Sequence, residues 1–203
     1  MSNKGRLGLV RHGQTYANIE RVWHGHTDTK LTELGYQQAR ELGEYFESYM
    51  QPTVVYASPL QRARITAEEI AKHFQLDVHL DERLMEFNLG DWEDKTFESL
   101  SAAGEDTMRK LVEDPSYATP NGESQNSVRD RFVSAVDEIV ERHTGEHVVI
   151  VAHGVALGIA LAHYIDNDTT RWTQYSKKNT AFSELCLETR SLLSFNQTEH
   201  LSE

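Results

Sequence analysis

Two stretches decide the reading of this chain: Leu7-Gly8-Leu9-Val10-Arg11-His12-Gly13 and Val148-Val149-Ile150-Val151-Ala152-His153-Gly154. Each is a short, bounded apolar run of the kind a buried strand shows. Each ends in His-Gly. In an open parallel sheet, ligands bind at the carboxyl ends of the strands. If the two strands are parallel neighbours, about 4.8 Å apart, His12 and His153 converge on one ligand. The glycine after each histidine, Gly13 and Gly154, removes a Cβ and lets a ligand approach the backbone.

Outward from these runs, strand and helix patterns alternate. Leu31, Leu34, Leu42, Tyr45, Phe46 and Tyr49 recur at helical spacing over 31–49,. Thr53–Ala57 is β-branched and aromatic, as a strand requires. Ser58-Pro59 reads as an N-cap followed by proline at the first helical position, opening a helix to about Phe74. Asp77–Leu80 is a short strand. A helix from Glu123 to about His143 carries Val128, Phe132, Val136, Ile139 and Val140 on one face, and Gly145 closes it. His147–Ala152 is the strand quoted above. Val155–Tyr164 and Thr170–Tyr175 are helical, and Glu184–Glu188 with Leu192–Asn196 form a final strand pair. The expected fold is α/β: three layers, with a mainly parallel sheet covered by helices on both faces. One domain spans 1–203. Residues 87–123, punctuated by Gly90, Gly104, Pro115, Pro120 and Gly122, form a flap over the active site.

The 203 residues carry a net charge of −12, with 38% hydrophobic and 26% charged residues. That composition suits a soluble globular protein with a real core. The acidic balance counts against nucleic acid, which needs a basic face, and against anionic membranes. Taken alone, it counts against an anionic substrate too. The single cysteine, Cys186, excludes an intrachain disulfide,; it sits in an alternating strand pattern, as a core residue does. No apolar run approaches the ~20 residues of a membrane span, and the first residues lack a signal-peptide core. The expected location is the cytoplasm; the oligomeric state stays open.

The sheet edge that receives His12 and His153 also receives Arg11, and Arg62 from the first turn of the helix after Ser58-Pro59, where a helix N-terminus favours anions. Glu82, Arg83 and Glu86 follow the Asp77–Leu80 strand. Two guanidiniums clamp the oxygens of a tetrahedral anion. A neutral histidine attacks phosphorus, and a carboxylic acid protonates a leaving alcohol. This set supplies the positioning and charge neutralisation that phosphoryl transfer needs, with no metal or other cofactor. The expected partner is a small phosphate ester.

The same residues resemble the histidine phosphatase superfamily, the phosphoglycerate-mutase-like fold, over nearly the whole chain. Arg11-His12-Gly13-Gln14-Thr15 with Asn18 is similar to its signature. Gly25, Asp28, Leu31-Thr32-Glu33-Leu34-Gly35 and Gln38-Ala39 resemble the continuation. Ser58-Pro59-Leu60-Gln61-Arg62-Ala63 resembles the second arginine block. Asp81 to Glu86 and Leu89-Gly90-Asp91-Trp92-Glu93 resemble the acid block, and Pro120-Asn121-Gly122-Glu123-Ser124 with Val151-Ala152-His153-Gly154 complete the order.

The resemblance implies His12 as nucleophile and phosphohistidine, and Arg11, Arg62 and His153 on the phosphoryl oxygens. It implies Asn18 on the phosphate, and His24, Gly25 and Gly154 beside it. It implies Glu86 as proton donor: Glu86 lies four residues before Gly90, as the family's acid does, and the competing Glu82 does not. Asp94 departs from the family, which usually has glycine there. Mutases of this fold add a basic stretch after the acid block. Here Ser101–Gln125 holds only Arg109 and Lys110 among five acids, so the chain looks like the small broad-specificity phosphatases, with water as acceptor.

Four other readings remain. One is a phosphoglycerate-mutase-type phosphotransferase. Another is a non-catalytic binding protein on the same fold. A third is a metal-dependent hydrolase: His24-Gly25-His26-Thr27-Asp28 matches five places of a His-x-His-x-Asp-His metal run, but Thr29 fills the sixth, so the ligand set is incomplete. The weakest makes Cys186 a nucleophile. Trp23, Phe87, Trp92, Phe97 and Tyr117 are candidates for the substrate mouth or for packing of the flap.

Overall fold

A computed structural model describes residues 5–102, 105–175 and 178–202, with the side chains of Phe97 and of 101–107 outside that description. The strands β1 (Arg6–Arg11), β2 (Val22–Trp23), β3 (Val54–Ala57), β4 (Val78–Leu80), β5 (Lys95–Thr96), β6 (His147–Ala152), β7 (Phe182–Cys186) and β8 (Leu192–Gln197) alternate with α1 (Tyr16–Glu20), α2 (Glu33–Tyr49), α3 (Gln61–Lys72), α4 (Phe97–Ala102), α5 (Glu105–Glu113), α6 (Gln125–Arg142) and α7 (Gly154–Asp166). Six strands form one sheet in the order β4-β3-β6-β1-β7-β8. The pairs β4–β3, β3–β6 and β6–β1 are parallel; β7 runs antiparallel to β1, and β8 to β7. The sheet is mainly parallel, as expected.

The three layers follow from the two-residue period of a strand. Leu7 and Leu9, Val54 and Tyr56, and Val148, Ile150 and Ala152 turn to one face, where Phe132 and Val136 of α6 and Leu157 and Leu161 of α7 cover them. Val10, Val55, Ala57, Val149 and Val151 turn to the other, against Leu42 and Phe46 of α2 and Ala63, Ala67 and Ile70 of α3. Strands buried on both faces read as continuous apolar runs, which is why β1 and β6 stand out in the sequence.

The sequence places Ser58 as the cap of α3. The helix instead begins at Gln61, with Leu60 at the cap and no side-chain cap bond. The Ser58 hydroxyl accepts from the Leu60 N–H at 3.3 Å and lies 2.8 Å from His153 Nε2, so it serves the turn into the helix and the imidazole at once. The helix expected from Glu123 starts at Gln125, because Ser124 is extended and caps it, its hydroxyl accepting from the Ser127 N–H,. β7 starts at Phe182, earlier than expected, because it pairs with β1 from Val10↔Phe182 to Arg6↔Cys186.

Residues 87–123 are tied down at several points. β5 pairs antiparallel with β2, two strands too short to carry a periodic signal. Leu89, Trp92, Leu100 and Leu111 join the apolar core on the α6–α7 face. Asp94, at the family's glycine position, has φ +61. Aspartate tolerates this left-handed conformation better than most residues, so the turn survives the departure.

Candidate active site

The register brings the candidate residues to one edge. Arg11 of β1 is level with Ala152 of β6, and the His12 N–H donates to the Ala152 carbonyl at 3.1 Å. β3 flanks β6 on its other side, and the Ser58 N–H donates to Val151 O at 3.1 Å. His12, Ser58 and His153 therefore leave three adjacent parallel strands at one level. The His12 and His153 rings lie 5.3 Å apart.

His12 is almost fully buried. Its Nδ1 sits 2.8 Å from the carbonyl of Gly13, an acceptor, so Nδ1 carries the proton and Nε2 keeps its lone pair. Burial, reinforced by the charges of Arg62 and Arg11, holds the imidazole well below its ordinary range,. The ring is thus neutral, with a free nitrogen, on the wall of a cavity of about 430 Å³ that Arg11, Asn18, His24, Arg62 and Glu86 also line.

Arg62 is held from behind. Its Nε donates to His153 Nδ1 at 3.2 Å, and its terminal nitrogens donate to Thr27 O at 3.0 Å and Gly25 O at 2.7 Å. Nδ1 of His153 is therefore an acceptor, and Nε2–H donates to Ser58. Burial and the Arg62 charge hold His153 well below its usual range, neutral like His12. His153 is fully buried and supports Arg62 from one layer below the cavity wall. A direct bond from it to a phosphoryl oxygen requires the ring to release one of these partners.

The loop that receives Arg62 is organised by Glu93. Its carboxylate accepts from the N–H groups of Gly25, His26, Thr27 and Leu89 at 2.9–3.1 Å. Burial alone would raise this carboxyl; the N–H groups of His26, Thr27 and Leu89 outweigh it and hold it below its usual range. Gly25 is required here, because a Cβ would fall 2.2 Å from Phe87 O and 2.3 Å from Glu93 Oε1. At Gly154 a Cβ would meet Arg11 Nε at 3.4 Å, so this glycine lets Arg11 lie against the start of α7.

Asn18 is oriented by a capping box. Thr15 Oγ1 accepts from the Asn18 N–H, and Asn18 Oδ1 accepts from the Thr15 N–H,. Asn179 Nδ2 donates to the same Oδ1 at 3.0 Å. With the oxygen so used, the amide N–H₂ is the group left for a ligand.

Glu86 caps α7. Its carboxylate accepts from the N–H groups of Val155 at 3.1 Å and Ala156 at 2.8 Å, and from Phe87 at 2.8 Å. The first two are orphan donors of the helix N-terminus, whose N-cap, His153, makes no side-chain cap bond. Arg131 of α6 fixes the chain here by donating to the carbonyls of Arg83, Met85 and Glu86 at 2.7–2.8 Å. The competing Glu82 is exposed, and Arg83 pairs with Asp81 and Glu138.

The metal reading finds no convergence. His24 Nε2 lies 3.1 Å from Asp94 Oδ1, His26 Nε2 lies 2.9 Å from Glu86 O, and Asp28 Oδ2 accepts from the Gln61 N–H. Among the described residues, no three His, Cys, Asp or Glu side chains gather as a metal site. Cys186 is buried in β7, bonded to Glu188. Of the candidate aromatics, Trp23 and Phe87 line the cavity. Trp92 packs near Tyr117 in the core of the 87–123 segment, and the Phe97 side chain lies outside the described residues. Arg21, absent from the sequence reading, also lines the cavity. The supporting roles of Ser58, Glu93, Arg131 and Asn179 were likewise unread; Ser58 and Glu93 stood in the quoted motifs, and the other two did not.

A mycobacterial glucosyl-3-phosphoglycerate phosphatase superposes with a TM-score of 0.85 at 30% identity, over 96% of this chain and 99% of that one. A phosphoserine phosphatase from Entamoeba histolytica, solved in complex with 3-phosphoglyceric acid, gives 0.85 at 30% identity over 98% and 100%. A protein named probable phosphoglycerate mutase GpmB from Erwinia tasmaniensis is 39% identical over 155 residues, which are 76% of this chain and 72% of that protein. The profile of the histidine phosphatase superfamily (branch 1) matches residues 7–197, and the chain belongs to that superfamily.

Proposed function

We propose that the protein is a metal-independent phosphatase of small phosphate monoesters, working through a phosphohistidine at His12 in the cytoplasm. One observation carries the reading. The Nδ1–H bond to Gly13 O leaves a neutral Nε2 on the wall of a cavity that Arg11, Arg62 and Glu86 share.

In the first step Nε2 attacks phosphorus, the P–N bond forms and the P–O bond to the alcohol breaks. Arg11 and Arg62 neutralise the oxygens, and Asn18 donates an amide N–H to one of them. Glu86, reacting in its protonated carboxylic acid form, gives the departing alkoxide its proton and is left as the carboxylate. In the second step a water gives a proton back to Glu86 and attacks phosphorus. The P–N bond breaks, and phosphate and neutral His12 are restored. Catalysis here is charge neutralisation and positioning, and the buried supports of Arg62 prepare both before substrate arrives.

The test is hydrolysis of p-nitrophenyl phosphate by wild type and His12→Ala, with and without EDTA, together with trapping of an acid-labile phosphoenzyme. Expected are EDTA-insensitive turnover, a phosphoenzyme in wild type and loss of both in His12→Ala. Metal dependence, or full activity in His12→Ala, sinks the mechanism. Turnover of no ester in a broad panel favours the binding-protein reading.

A second reading has specific support. Arg21 on the cavity wall adds a cation that could meet a second anionic group, and relatives are named probable phosphoglycerate mutases. Under it the phosphoenzyme transfers to phosphoglycerate faster than to water, and activity depends on a bisphosphate primer.

A further inference from the structure

The turn that leads into β7 is built against its own backbone preference. Lys178 O accepts from the Ala181 N–H at 3.2 Å, so Asn179 and Thr180 stand at its two central positions. Thr180 has φ +52, and among the described residues it is the one β-branched side chain in the left-handed region. Turn chemistry gives such a position to Gly or Asn, and a β-branched residue there is an outlier. A conformation of this kind persists only where its surroundings over-determine it, and it points to a function nearby.

The surroundings of Thr180 do so from two sides. Its N–H is shared by the carbonyls of Arg11 at 3.0 Å and His12 at 3.3 Å, and the Arg11 N–H donates to Ala181 O at 3.1 Å. Its hydroxyl donates to Asn179 O at 2.9 Å, and its Oγ1 lies 3.1 Å from His200 Nε2. Thr180 is fully buried and His200 nearly so. The turn is clamped between the end of β1 and His200.

The residue so fixed is Asn179. Its Nδ2 donates to His12 O at 3.1 Å and to Asn18 Oδ1 at 3.0 Å. The first partner is a backbone carbonyl and only accepts, so the atom between the two is the amide nitrogen. The second partner is therefore the Asn18 oxygen, which the Thr15 N–H also holds at 3.1 Å. Two donors on Oδ1 leave the N–H₂ of Asn18 free for the cavity that this residue lines. The orientation decides the sign of the contact: the N–H₂ end attracts an anion, and the carbonyl end repels it.

We propose that Asn179 is a positioning residue, which sets the end of the Asn18 amide that meets a phosphoryl oxygen and ties that amide to the backbone of His12. The strained turn at Thr180 holds it in place. The inference rests on the phosphatase reading above, in which the phosphoryl group sits between His12 and Asn18.

The experiment is a double-mutant cycle of Asn18→Ala and Asn179→Ala, read by calorimetric binding of inorganic phosphate and by kcat/KM toward p-nitrophenyl phosphate. Expected is about tenfold weaker phosphate binding on Asn179→Ala in the wild-type background, and less than about twofold in the Asn18→Ala background. In ¹⁵N spectra the Asn18 side-chain N–H₂ signal, identified by its loss in Asn18→Ala, should shift on phosphate addition in wild type and respond far less in Asn179→Ala. A merely structural loss is additive in the cycle and leaves that response intact, so either result overturns the positioning role. Urea unfolding checks each variant. Should Asn179→Ala fail to fold, Asn179→Gly removes the same amide in a residue that turns accept, and the cycle is run with it. If wild type binds phosphate but turns over no ester, the phosphatase reading fails, and the binding cycle still decides the role of Asn179. Absence of phosphate binding in wild type overturns it.

Discussion

Gly25 meets two demands at once. Its N–H is bound by Glu93, its carbonyl takes Arg62, and no room exists for a Cβ between Phe87 O and Glu93 Oε1. Gly25→Ala should displace the loop and with it the guanidinium. An ångström-scale misplacement lowers kcat/KM toward p-nitrophenyl phosphate about 100-fold, with thermal unfolding still cooperative; steady-state kinetics beside calorimetry checks both. The His12 ring gives a second prediction. In the proposed mechanism the neutral ring is the nucleophile, and its protonation is shifted well below the ordinary imidazole range of about 6.5,. Activity is lost only when pH falls through that lowered value, so kcat/KM should hold between pH 7 and 6; a limb near 6.5 that follows His12 would contradict the geometry. At this scale the sequence is legible where a local rule places the residue. Arg11 and His12 end a strand and Arg62 opens a helix; Asn18 came only through the family resemblance, and its capping box with Thr15 was not read. Ser58, Arg131 and Asn179 were not legible, because what they bond is 45 to 167 residues away.

Between elements, Glu93 ties the acid block to the loop after β2 through three backbone donors of that loop, with a fourth from Leu89 in its own block. Glu93→Gln replaces one acceptor oxygen with a donor that faces N–H groups. The expected cost is about 1–3 kcal/mol in urea unfolding, with a rise in KM because the same loop seats Arg62. Equal stability of the variant and wild type would show that the loop is held some other way. Strands and long helices were readable from periodicity alone. The start of α3 was readable only approximately: Ser58 does accept from the Leu60 N–H, but the regular helix begins at Gln61. The pairing of β2 with β5 was not readable either, because two residues contain no period.

The molecule as a whole is acidic, with a net charge of −12, while its cavity wall carries Arg11, Arg21 and Arg62. Global charge thus bears on which anions approach, and the local cations on which are held. Stability should fall on the acid side. Burial pushes His200 down to about 4, and its ring packs near Tyr45 and Phe182 with Nε2 at 3.1 Å from Thr180 Oγ1. The fold keeps it neutral, while the unfolded chain binds a proton below about pH 6.5. Stability is therefore full above that pH and drains as pH falls toward 4, by on the order of 2 kcal/mol from this residue. Unfolding of His200→Gln, measured from pH 7 to 4, should show a shallower loss than wild type; an identical slope would remove His200 from the account.

The strand order β4-β3-β6-β1 has a consequence for how the protein comes into being. β1 and β3 are made early, yet neither touches the other: β6, beginning at His147, is the wedge between them. While the chain is being synthesised, a nascent sheet lacking β6 has a gap where His12 and Arg62 must meet. The long-range pairing that fills it is the slow kind. A ribosome-bound chain arrested before residue 147 therefore has every side chain of the first half of the site and no means of assembling it. The edge that carries His12, Arg62 and His153 is born in one late event, when the last parallel strand slots in.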